Sequence, residues 1–121
     1  MNIVFPFLPP SCNRCYRTYR DKVYKSKLYT DYIQTMKEFL ANRNDLSQIT
    51  GHVKLEITFY RKGMRQFDID NRLKPLIDSI EHVLIEDDNN VQELLVRKHN
   101  NCLEDKTLMV ITPILTTETH P

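Results

Sequence analysis

The stretch His52-Val53-Lys54-Leu55-Glu56-Ile57-Thr58-Phe59-Tyr60-Arg61 alternates apolar and polar side chains without a break. Successive residues of a strand face opposite ways, so Val53, Leu55, Ile57 and Phe59 form one apolar face. Lys54, Glu56, Thr58 and Tyr60 form the other, which predicts a half-buried strand. Downstream, Leu73, Leu76, Ile77, Ile80, Val83 and Leu84 recur at helical spacing. Pro75 belongs in the first turn of such a helix, where its missing N–H costs nothing. The helix is therefore expected to start near Arg72, with Asp70 or Asn71 as its cap.

Working outward, residues 2–8 read as a strand stopped by Pro9 and Pro10. Residues 9–27 read as a long polar loop, a length usually associated with function. A helix over 27–42 follows, its face made by Leu28, Tyr29, Tyr32, Ile33, Met36, Phe39 and Leu40. After an acidic turn at 86–90, residues 91–99 and 106–114 read as two strands joined in a hairpin. The expected fold is α+β, one domain over 1–121, a mixed sheet with two main helices in the order β-α-β-α-β-β.

Composition narrows the function. The chain has 121 residues, 40% hydrophobic and 27% charged, which suits a single folded domain. Its only glycines are Gly51 and Gly63, too few for a P-loop, a dinucleotide fingerprint or a nucleophile elbow. Three cysteines do not suggest a closed disulfide framework, and the proline-broken N-terminus resembles neither a signal peptide nor a membrane span. The expectation is a cytoplasmic protein with no membrane partner. Cys12-x-x-Cys15 with His99 and Cys102 offers zinc-ligand residue types, but at an unusual spacing. Free thiols are the simpler reading.

A net charge of +1 conceals two opposed segments. Residues 14–27 hold six basic residues and one acid, interleaved with Tyr16, Tyr19 and Tyr24; residues 68–93 hold eight acids and two bases. Arg14, Arg17, Arg20, Lys22, Lys25 and Lys27 suit phosphate contacts, and the tyrosines suit base stacking. Arg61, Lys62 and Arg65 precede the acidic segment and are placed to deliver a polyanion to it.

The chemistry centres on Phe67-Asp68-Ile69-Asp70-Asn71-Arg72-Leu73-Lys74-Pro75-Leu76-Ile77-Asp78. In extended chain, Asp68 and Asp70 would project to one face with roots ~7 Å apart, a spacing that lets two carboxylates share a cation. Oxygen-only ligands favour Mg²⁺ or Mn²⁺. Asn71, Lys74 and Asp78 fall on the polar side of the helix, and Asp87-Asp88 adds carboxylates beyond it. The plainer alternative is that Asp70 and Asn71 only cap a helix and Lys74–Asp78 is an exposed ion pair.

The order Asp68-x-Asp70-Asn71-x-x-Lys74, then Asp78, then Asp87-Asp88 before a strand, resembles the RusA family of Holliday-junction resolvases. Leu8-Pro9-Pro10-Ser11-Cys12-Asn13-Arg14 followed by Tyr16 resembles that family's first-strand exit, and the likeness spans roughly residues 3–112. The family usually carries a Gly and an aromatic residue just before the Asp pair, where this chain has His82-Val83-Leu84-Ile85-Glu86. The resemblance implies a Mg²⁺-dependent homodimeric endonuclease that nicks opposed strands of four-way DNA junctions. It makes Asp68, Asp70 and Asp88 the metal-binding carboxylates and Lys74 the essential base-type residue. Asn71, Asp78, Asp87 and Lys98 become supporting positions. The alternatives are a non-catalytic junction binder and a small metal-dependent nucleotide hydrolase.

Overall fold

The alternating stretch forms a strand, Val53–Lys62, and its four apolar residues Val53, Leu55, Ile57 and Phe59 are fully buried. It is β4 of a computed structural model that describes residues 1–64 and 66–115; Arg65, expected to contact DNA, lies outside them. Before it come β1 (Asn2–Phe5), β2 (Tyr16–Tyr19), β3 (Lys22–Lys25) and α1 (Lys27–Ala41). After it come α2 (Ile69–Ile80), β5 (Val91–Cys102) and β6 (Lys106–Pro113). The main sheet has the order β1-β6-β4-β5, with β4 antiparallel to β6 and parallel to β5. The fold is α+β with a mixed sheet and two helices, as expected. Among the described residues, no helix is long and apolar enough to cross a membrane.

Register explains the core. Ile3, Met109, Ile57 and Val96 lie in one cross-strand row, and Phe5, Thr107, Phe59 and Lys98 in the next. Both helices cover this face. Tyr29, Tyr32, Met36 and Leu40 of α1 and Pro75, Leu76 and Ile80 of α2 are buried against it. Ser26 caps α1, its Oγ accepting from the Tyr29 N–H at 3.1 Å. The Phe5 and Phe39 rings meet at 5.1 Å, and the Tyr32 hydroxyl lies 3.0 Å from Ser79 Oγ, joining the two helices. The opposite sheet face carries no helix, and Val4 and Leu95 are exposed there.

Several expected boundaries are corrected. The 9–27 segment is not all loop: after a short 3-10 turn at Cys12–Arg14 it folds into the antiparallel β2–β3 hairpin. Its two-residue turn, Arg20 and Asp21, has φ of 50° and 62°, the left-handed backbone that tight hairpins require. β5 and β6 do not pair; β4 lies between them. The link 103–105 steps across the end of β4, held by the Lys62 N–H on Asp105 Oδ1 at 2.7 Å. The Asn101 N–H on the Gly63 carbonyl at 2.6 Å secures the same crossing.

Helix α2 starts three residues earlier than expected, with Asp68 rather than Asp70 or Asn71 at the cap position. Pro75 consequently sits in the helix interior and leaves the Asn71 carbonyl without its usual donor. The helix also ends earlier, at Ile80, because His82 adopts φ 66° and reverses the chain. Leu84 and Ile85 still reach the core, but from this turn.

Candidate active site

Asp70 belongs to the first turn of α2, whereas Asp68 precedes the helix as its N-cap residue in extended conformation. The expected shared face of an extended chain is therefore absent, and the two carboxylates line different clefts. Asp70, Lys74 and Asp78 occupy one flank of the helix at i, i+4 and i+8. Asp68 and Arg72 occupy the other flank.

On the first flank, a cleft of about 350 Å³ opens between α2 and β5. Asp70, Lys74, Asp78 and Asp88 line it, over an apolar floor of Leu73, Ile77, Val91 and Leu94. Asp88 arrives because the chain doubles back after Ile80, so both Asp70 and Asp88 come from one chain. Asp87 does not join them. Its Oδ1 accepts from the Asn89 N–H at 2.8 Å and caps the 3-10 turn Asp88–Asn90. That hydrogen bond lowers its pKa. Asp88 is pushed up instead, first by the hydrogen bond it shares with Asp87 and then by the charge of Glu81. The Asp88 N–H donates to Glu81 Oε2 at 2.7 Å. Among the described residues, Glu81, Asp87 and Asp88 are the trio whose carboxylate oxygens gather within 4.8 Å. The sequence does not mark Glu81, because the apolar pattern carries α2 past it.

Lys74 Nζ lies 3.4 Å from Asp78 Oδ2. The charge of Asp78 and its hydrogen bond raise the lysine pKa, with smaller contributions from Tyr16 and Asp88. Lys74 is thus a stable cation at neutral pH rather than a ready proton acceptor.

On the second flank, Asp68 opens into a cleft of about 380 Å³ shared with Arg14, Arg61 and Arg72. Its Oδ2 accepts from Asn71 Nδ2 at 3.2 Å. Lys98 is beside its root: Lys98 Nζ donates to the Phe67 carbonyl at 2.6 Å, and the register places Lys98 opposite Phe59 on the helix-bearing face. Arg72 is half withdrawn from solvent and donates to the Pro9 carbonyl at 2.6 Å. Its pKa is lowered by burial and by the charges of Arg61 and Arg14. Arg72 is absent from the residues expected at the site, although its place four residues after Asp68 puts it on the same helix flank.

The remaining basic residues divide. Arg17, Arg20, Lys22 and Lys25 stand exposed on the β2–β3 hairpin, whose Tyr16 packs edge-on against Tyr29 at 5.5 Å. Tyr16, Tyr29, Lys74 and Asp78 line one small pocket, so the hairpin rises directly beside the acidic cleft. Lys27 is engaged by Asp31 at 2.9 Å, and the Lys62 side chain lies at the exposed end of β4. Cys12, Cys15 and Cys102 are free thiols. Cys15 Sγ donates to the Ser11 carbonyl near α2, whereas Cys102 Sγ contacts the His99 and Asn100 carbonyls at the end of β5. They do not assemble with His99 into a ligand group.

Residues 6–108, most of the chain, match the family model Endodeoxyribonuclease RusA. No curated protein matches the chain. The family match covers both flanks of α2, the hairpin and the strand carrying Lys98, and the chain belongs to the RusA family of Holliday-junction-resolving endodeoxyribonucleases.

Proposed function

We propose that the protein is a metal-dependent resolvase that nicks opposed strands of four-way DNA junctions, a reaction of recombination and repair. The observation that carries this reading is the convergence of Asp70 and Asp88, eighteen residues apart, with Lys74 in one open cleft. Their donor set is oxygen only and anionic, which fits Mg²⁺, or Mn²⁺, better than a softer ion. Asp70 and Asp88 would hold the ion, with Glu81 positioning Asp88, while Asp68 borders the adjoining arginine-lined cleft. When bound, such an ion supplies positive charge that activates water and offsets charge on the phosphate.

The protein's own groups complete the site. Lys74, kept cationic by Asp78, stabilises charge developing on the phosphate or the leaving oxygen. Asn71 restrains the Asp68 carboxylate, and Lys98 fixes the backbone from which it projects. The hairpin cations Arg17, Arg20, Lys22 and Lys25 hold the flanking backbone, with Lys27 and Lys62 at its margins, while Arg14 and Arg61 bind phosphate beside Asp68. Two matched cuts call for two matched sites, so the working unit is a two-fold homodimer.

The test is cleavage of a synthetic four-way junction in Mg²⁺, with linear duplex and EDTA as controls and light scattering for the assembly. Paired, Mg²⁺-dependent nicks supported by a dimer are expected. Tight junction binding without nicking would make the protein a binder only, and turnover of free nucleotides without DNA cleavage would make it a nucleotide hydrolase.

A further inference from the structure

The arginine cleft does not end at Asp68. Ser11, Arg14, Arg61 and Arg72 also line a second, larger cleft of about 490 Å³. Its wall is the proline-rich exit from β1, including Leu8, Pro9 and Pro10. Tyr32 closes the floor, and Leu28 stands 42% exposed at its α1 side. A row of guanidiniums thus opens directly into an apolar slot.

We propose that this composite cleft is a subsite for one unstacked nucleotide of the bound DNA. Its phosphate sits on Arg14, Arg61 and Arg72, and its base lies between the Pro9 wall and Leu28. The proposal rests on the junction-endonuclease reading and adds to it a means of recognising the branch.

Three observations carry the assignment. First, two of the three guanidiniums are held in place. Arg61 and Arg72 lie over the single Phe67 ring, 5.4 and 5.1 Å from its centroid, and Arg72 is also tied to the Pro9 carbonyl. A fork held this way loses little freedom on meeting a phosphate. Second, the cluster crowds like charges: Arg61 and Arg14 act against Arg72, while Asp105 gives partial relief. An anion with several acceptor oxygens satisfies all three forks. Third, the slot is walled by prolines, whose fixed φ makes it a preformed surface. Thr35 and Asp31 supply polar groups at its edge, suited to the rim of a base.

Unstacking a base from continuous duplex costs a few kcal/mol, and less where stacking is already interrupted. A subsite that must be filled by an unstacked nucleotide therefore favours branch points over linear DNA.

The experiment compares equilibrium binding, in EDTA, to linear duplex, to the same duplex with one bulged 2-aminopurine, and to a four-way junction. The wild-type chain is expected to prefer both the bulge and the junction to duplex by at least ~10-fold, the effect of about 1.4 kcal/mol. It is also expected to change the emission of the bulged base. Arg72→Gln and Leu28→Glu should abolish both preferences while duplex affinity falls far less; the exposed Leu28 position guards against misfolding, which circular dichroism checks. A junction preference that survives Leu28→Glu, with no preference for the bulge, would overturn the subsite and leave the resolvase reading standing. A bulge preference without a junction preference would support the subsite and overturn the resolvase reading.

Discussion

Asp68 and Asp70 stand two residues apart at the head of α2, yet they serve clefts of opposite character. Asp70 faces three other charged side chains, two of them acids, over the apolar edge of β5. Asp68 faces three arginines. The same residue type has two surroundings because α2 begins at Ile69 and rotates the second carboxylate away from the first. One helix start thereby separates a place that favours a cation from a place that favours a phosphate. Charge assigned from the linear sequence merges the two; charge assigned from helix flank divides them.

The sharpest way to break this division is to neutralise each carboxylate alone. Asp70→Asn and Asp88→Asn are expected to lower Mg²⁺-dependent junction cleavage by ~10²–10³-fold, the scale of losing one preorganised electrostatic group. Junction binding in EDTA should persist. Asp68→Asn keeps an oxygen that can accept from Asn71 and is expected to lose less. Equal losses at positions 68 and 70, read from single-turnover rates, would show that the two clefts act as one ion site. Because Asp70 and Asp88 line a cleft within one chain, mixing Asp70→Asn chains with Asp88→Asn chains should restore no cleavage. Recovery of activity in the mixture would mean that the dimer exchanges these acids.

The basic flank is tested by salt. Arg14→Gln together with Arg61→Gln is expected to flatten the salt dependence of DNA binding, by ~0.9 log units per lost phosphate contact. An unchanged slope would place the phosphates elsewhere. A smaller effect is expected from Lys98→Met, which removes the donor to the Phe67 carbonyl and lets the root of Asp68 shift. Cleavage should fall, by up to ~10²-fold if the displacement approaches 1 Å, with binding retained. Lys98→Arg should recover most of the rate, and failure of that rescue would argue against a positioning role.

The smallest expected change lies outside both clefts. Ser79→Ala removes the hydroxyl contact with Tyr32 that joins α2 to α1. It should cost about 1 kcal/mol, seen as a melting temperature a few degrees lower with cleavage intact.

Legibility in the sequence follows how local each cause is. β4 can be read because alternation is a property of the strand itself, and the helical stripe from Leu73 to Ile80 is equally local. The β2–β3 hairpin is not legible: its turn is Arg20-Asp21 rather than a glycine pair, and its strands are exposed along their length. Nor can the missing β5–β6 pairing be read, since it depends on β4 entering between them. The motif marks Asp70, Lys74 and Asp88 by number, and the apolar pattern then carries α2 past Glu81, because Leu84 and Ile85 remain in the core after the chain has turned. Arg72 is hidden for a related reason. Its role depends on which flank the helix start presents, and that start lies three residues before the place the sequence suggests.

The sheet order has a consequence for how the chain comes together. β1 pairs with β6, Ile3 opposite Met109, and the Met1 amine donates to the Ile111 carbonyl at 2.9 Å. As an edge strand, β1 therefore finds its strand partner only across the whole length of the domain, and Phe5 joins the sheet only when β6 is in place. The β4–α2–β5 unit, with its shorter loop closures, is free to organise earlier. We expect pulse-labelled hydrogen exchange during refolding to protect β4 before β1, and native-state exchange to open β1 first. Simultaneous protection of both strands would instead indicate a single concerted closure of the whole sheet.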